Sequence, residues 1–192
     1  MAGLMNMFNT MKHKGDQATS HTWSTKIVHW VAAALLLYAG VVNGKVVDAL
    51  YDPGAMRTET LVGIAIAILY TYLWFWVRGS GGGSRLPAAA PAWERRLAGC
   101  VHVSIYLTIA AALLSGFAMA YLVQTDVVGV KAARLILQMT PRFAFIRGFH
   151  EVSARVLLGL FVAHLIGALW HRLIRRDYVM QSISLLKWRQ AT

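Results

Sequence analysis

Four stretches of the chain carry little or no charge and are long enough to cross a bilayer: about 25–43, 59–77, 97–123 and 150–172. A spanning helix needs roughly 20 mostly apolar residues. Inside lipid the backbone must satisfy its own hydrogen bonds, which a helix does and an isolated strand does not. The pattern therefore predicts an all-α integral membrane protein, a four-transmembrane-helix bundle occupying residues 23–178. The polar intervals punctuate it. Residues 1–22 form a mixed arm in which Met1, Leu4, Met5, Met7, Phe8 and Met11 would share one face of an interfacial helix. Residues 44–58 contain the turn-like Tyr51-Asp52-Pro53-Gly54. Residues 78–93, RGSGGGSRLPAAAPAW, have linker composition. Residues 124–149 read as a longer polar loop with a short helix near 130–139. Residues 179–192 form a basic amphipathic tail expected to lie along the membrane surface. The aromatic run Tyr70, Tyr72, Trp74, Phe75 and Trp76 suits a headgroup belt at the end of the second span.

Composition sharpens this picture. The chain is 57% hydrophobic and 14% charged, with a mean hydropathy of +0.51, far more apolar than a soluble domain of its length. Its formal charge of +11 would suit nucleic acid on a soluble fold. Here the basic residues flank the apolar runs, which points to membrane edges and to lipid, not nucleic acid, as a partner. Twelve of them (Lys12, Lys14, Lys26, Arg78, Arg85, Arg95, Arg96, Arg172, Arg175, Arg176, Lys187 and Arg189) fall on the side of the chain termini. Six (Lys45, Arg57, Lys131, Arg134, Arg142 and Arg147) fall on the other. The positive-inside rule then places both termini in the cytoplasm of a bacterial inner membrane. No cleavable leader is evident at the start. Cys100 is the only cysteine, so neither an internal disulfide nor a CxxC site is available. GSGGGS lacks the GK[ST] ending of a phosphate loop.

The candidate chemistry lies in the histidines. His150 and His164 are fourteen residues apart on the fourth span. At 100° and 1.5 Å per residue they return to within about 40° of one face, roughly 21 Å apart along the axis. One helix thus offers an imidazole near each membrane surface. Ionisable groups inside a span are costly and usually functional, and neutral imidazole is a common ligand, including for haem iron. His29, near the start of the first span, shares the depth of His164. Two facing histidines from different helices can clamp an iron inside a bundle, and His29 with His164 is the natural pair. Gly40, eleven residues after His29, and Gly116, fourteen after His102, lie on the same stripes and would admit either a flat ligand or a neighbouring helix. His102 is a candidate for hydrogen bonding to a quinone, or for a polar contact with a neighbouring helix. His171 is expected at the interface among Arg172, Arg175 and Arg176. Arg142 and Arg147 would neutralise anionic groups at the far surface or remain solvated in the loop.

These features resemble the bacterial cytochrome b561 family, four-helix membrane b-type cytochromes related to the cytochrome b subunits of hydrogenases and formate dehydrogenases. The resemblance spans residues 23–178 and rests on IVHW in the first span, LAGCVHVSIYL opening the third, and HE-x12-H-x6-H in the fourth. It implies b-type haem, held toward the cytoplasmic side by His29 and His164, and a second haem on His150 with a histidine opening the second span. Aligned on Gly63, that last position holds Glu59. A second haem with Met56 as its other ligand, a haem five-coordinate on His150, and a site without haem in which Glu59 faces Arg155 as an ion pair all remain open. Arg155, inside the fourth span, needs a carboxylate or a haem propionate as partner. The resemblance implies electron transfer between the quinone pool and a periplasmic or membrane redox protein, such as a dehydrogenase, a hydrogenase or a cytochrome. Superoxide oxidation coupled to quinone reduction is the alternative within the family. A structural subunit with a partly lost haem site is the alternative of another class.

Overall fold

The structure is a computed structural model that describes residues 21–41, 53–79, 86–87, 90–125 and 140–185. Four long helices form it: α1 (Trp23–Val41), α2 (Pro53–Gly79), α3 (Ala92–Thr125) and α4 (Pro141–Trp170). A π-turn, His171–Arg175, continues α4, and a short helix, α5 (Val179–Ile183), follows. All four long helices contain stretches apolar and long enough to cross a membrane. The interfacial arm, the glycine-rich stretch 80–85 and the expected helix near 130–139 lie outside the described residues.

The helices begin earlier than the apolar runs. Pro53 opens α2, so the expected turn at 51–54 is in part the first helical turn; proline suits this position because its missing N–H would have had no intrahelical partner. Thr140 caps α4, its hydroxyl accepting from the Phe143 N–H, with Pro141 next. Arg142 and Arg147 therefore lie on α4 and not in a loop. Hydropathy marks where a helix enters hydrocarbon, whereas caps mark where it starts. With its π-turn, α4 is 35 residues long, about 52 Å, and projects beyond a hydrocarbon layer of about 30 Å.

The exterior is the apolar surface. Leu107, Leu114, Ile68 and Phe75 are exposed, while the buried set at the centre is small: Ile66, Ile109 and Leu157, surrounded by Leu35, Leu36, Ala39, Val62, Tyr70, Ile105 and Leu113. Lipid contact explains both, since exposing side chains to hydrocarbon costs nothing there. Each helix turns a narrow stripe inward. On α4 it runs His150, Ser153, Leu157, His164, Ala168 and His171, at the three-to-four spacing of a bundle seam. Leu157, seven residues from either histidine, separates the levels of His150 and His164 with the central cluster. The main packing pairs are α1 with α2 and α3 with α4; α1 and α4 make no extensive helix contact.

One end of the bundle gathers the starts of α1 and α3 and the end of α4. Arg175 of the π-turn bonds Glu94 in the first turn of α3 at 2.6 Å. The chain then turns at Arg176, in the left-handed region at φ 51°, and α5 folds back on α1. Trp30 Nε1 donates to the Ile183 carbonyl at 3.1 Å, and Lys26 Nζ to that of Ser184 at 3.0 Å. The described part of the tail thus docks on the first helix, beside His29, and is more than a surface-lying strip. We refer to this end as the terminal face.

Candidate haem-binding site

Three imidazoles from three helices meet near the terminal face. The ring centroids of His29 on α1 and His164 on α4 are 6.3 Å apart, tilted at 58°. His102 on α3 stands edge-on to His164 at 5.0 Å. Both His29 and His164 lie on inward stripes, half-buried, whereas His102 is exposed on the flank of the bundle. His102 Nδ1 donates to the Ala98 carbonyl at 2.7 Å. A carbonyl can only accept, so the proton sits on Nδ1 and Nε2 keeps its lone pair. Among the described residues no group of three or more His, Cys, Asp or Glu side chains is arranged to hold a bare metal ion. The arrangement is a facing pair with a third ring at its rim.

The spacing of the pair fits an iron held between two rings. A metal–imidazole bond of about 2 Å on each side, plus the ring radii, would put the two imidazole centroids roughly 6 Å apart. That α1 and α4 approach through side chains and not backbone also fits a flat group between them. At Gly40 an added Cβ would meet nothing within 4 Å, so helix packing does not require this glycine. Periodicity gave each ring its face but not the offset between helices, so the contact of His102 with His164 was not foreseeable from spacing alone.

His150 sits at the opposite end of the core. Its Nδ1 donates to the Ala112 carbonyl at 2.9 Å and lies 3.1 Å from Ser115 Oγ. This fixes the tautomer and leaves Nε2 free, the way ligating imidazoles are generally oriented by a backbone carbonyl. Gly116 has a specific role here: a Cβ added to it would lie 3.2 Å from His150 Cε1. Of the two uses open to this glycine, close approach of a neighbouring helix is the one seen, because its space admits the His150 ring. Gly116→Val is expected to displace that ring and destabilise the protein by about 1–3 kcal/mol, the usual cost of overpacking. Thermal unfolding in detergent measures this. No second imidazole faces His150 from α2: Glu59 occupies the inward stripe, and Met56 lies in the first helical turn.

Of the partners open to Arg155, a carboxylate on its own helix is the one present, and the ion pair with Glu59 is not formed. Arg155 pairs with Glu151 at 3.5 Å and is 77% exposed; it does not reach Glu59. Five residues turn it about 140° from His150, so it faces outward, where its long stem can carry the charge toward the headgroups. Arg147 also bonds Glu151, at 3.0 Å. His171 lies in the π-turn with Arg172 and Arg175, as expected, and has a carboxylate partner as well: its Nδ1 lies 2.6 Å from Asp177 Oδ2.

Comparison with known proteins adds the decisive observation, since the family model of prokaryotic cytochrome b561 matches residues 20–184. The chain belongs to the prokaryotic cytochrome b561 family. The family is one of membrane b-type cytochromes, which implies b-type haem. Cytochrome b561 homolog 1 of Escherichia coli K12 is 32% identical over 89 residues, 45% of this chain and 51% of that protein. The match thus spans about half the length of that relative. No solved structure matches. Among the described residues, the facing pair and the His150 level are the candidate places for a haem iron.

Proposed function

We propose that His29 and His164 hold one low-spin haem near the terminal face, and that the protein passes electrons between the membrane quinone pool and a periplasmic or membrane redox partner. Bound between two imidazoles, the haem supplies a one-electron couple with no open coordination position. The helices do the rest. α1 and α4 set the distance between the rings, and the Ile66–Ile109–Leu157 layer packs the centre of the bundle. The positive-inside count favours a cytoplasmic terminal face in a bacterial inner membrane.

The observation that carries the quinone reading is the position of His102. Its ring is exposed on the flank of the bundle and stands edge-on to His164, with ring centroids 5.0 Å apart. A quinone arriving from the bilayer would meet an imidazole whose Nδ1 is already engaged and whose Nε2 can hydrogen-bond to it. Tyr106, one turn further along α3, with Trp74 and Tyr70 packed edge-on against it at 4.9 and 5.9 Å, forms an aromatic wall one turn deeper.

His102→Leu is expected to keep its haem and its reduction by dithionite while quinol-driven reduction slows at least tenfold, or about 1.4 kcal/mol in barrier. Stopped-flow absorbance in the haem bands measures it. An unchanged quinol rate would place the quinone elsewhere.

A further inference from the structure

We propose that His171, held by Asp177, is the proton-exchange group between the quinone-reactive rim at His102 and water on the terminal face. This rests on the quinone reading above. Oxidation of one quinol yields one quinone, two electrons and two protons. The electrons reduce two ferric haems, in two chains or in successive turnovers, and both protons must leave a site walled by apolar side chains.

Four observations converge on His171. It lies on the inward stripe of α4 seven residues beyond His164, two turns or roughly 10 Å nearer the aqueous end. Both His171 and Asp177 are largely buried, at 13% and 15% exposure, and 2.6 Å apart. A carboxylate on Nδ1–H fixes the tautomer and leaves Nε2 as the acceptor, the orientation used in general acid–base sites. The helix changes to a π-turn at His171, a geometry that recurs at functional sites. It is the accepting end of that turn, taking the Asp177 N–H on its carbonyl at 3.1 Å. Asp177 therefore has a structural task as well, its other oxygen capping the Val179 N–H at 3.1 Å, but a cap alone does not require a histidine partner.

The surrounding charges are consistent with a conducting end. Arg175, one turn beyond His171, holds Glu94 of α3. Glu94 is 8% exposed, and its Oε2 has no protein partner, an arrangement that in native structures calls for a water. Arg172 and Arg176 flank the pair on its own segment, and Arg95 and Arg96 lie exposed on α3. On the α1 side the backbone of His21 docks to Ser182 of α5, with Lys26 bonded to Ser184.

The test uses the haem-loaded protein in detergent with a short-chain quinol, recording haem reduction and, with an indicator dye, proton release into the medium. In His171→Gln, both are expected to slow about tenfold together, with dithionite reduction and haem content unchanged, and millimolar imidazole in solution should restore the quinol rate. Asp177→Asn, which keeps the cap, is expected to slow both about threefold. Quinol-driven reduction and proton release at the wild-type rate across pH in His171→Gln would overturn the relay, as would a slow variant that imidazole fails to rescue. Wild type inert to quinol would instead remove the quinone reading, and the relay with it.

Discussion

Replacing His164 by alanine is expected to leave the protein in the membrane but without its haem absorbance. His164 is the ring common to both close contacts of the site, 6.3 Å from His29 and 5.0 Å from His102. Loss of a supporting partner of a metal ligand already costs about 10–100-fold in affinity, so loss of the ligand itself should cost roughly 100-fold or more. His29→Ala is expected to behave alike, with one difference. His102 is near enough to His164 for a residual, weakly held haem to survive there, with altered bands. Neither change should unfold the bundle, because its central packing lies among Ile66, Ile109 and Leu157, away from these rings. Haem content per chain, with circular dichroism for helix content, checks both halves of the expectation.

Glu59→His is expected to raise the haem content from one to two per chain. His150 already has its Nδ1 bound to Ala112 and its Nε2 free, and Glu59 stands on the inward stripe of α2. A carboxylate suits hard ions, whereas imidazole suits iron. Supplying the second ring would thus complete a site of which one half is already built. The new component should be low-spin and should vanish in the double variant Glu59→His/His150→Ala. A Glu59→His protein with unchanged haem content would show that the His150 level is closed by packing, with the ring committed to α3.

Much of this arrangement was legible in the sequence because one-helix properties follow from periodicity. Four apolar runs gave the four long helices. The fourteen-residue interval put His150 and His164 on one stripe, and the structure has both on the inward seam of α4. What was not legible depends on relations between helices or on the chain's path outside lipid. His102 and His164 meet because of the rotation and offset of α3 against α4, which no single-helix pattern encodes. Gly116 and His150 fit together for the same reason. That Arg155 needs an anionic partner is legible, but which one is not: Glu151 lies one turn away on its own helix, and for an exposed residue the local i,i+4 partner is the cheaper choice. The π-turn and the docking of α5 on Lys26 and Trp30 depend on backbone hydrogen bonds that leave no composition signature.

The most direct measurement is electron paramagnetic resonance of the purified, oxidised wild-type protein, combined with haem quantification. The pair at 6.3 Å predicts a low-spin ferric signal of bis-imidazole type at one haem per chain, lost in His29→Ala and in His164→Ala. A colourless preparation, a purely high-spin signal, or a bis-imidazole signal that survives unchanged in either variant would contradict the account.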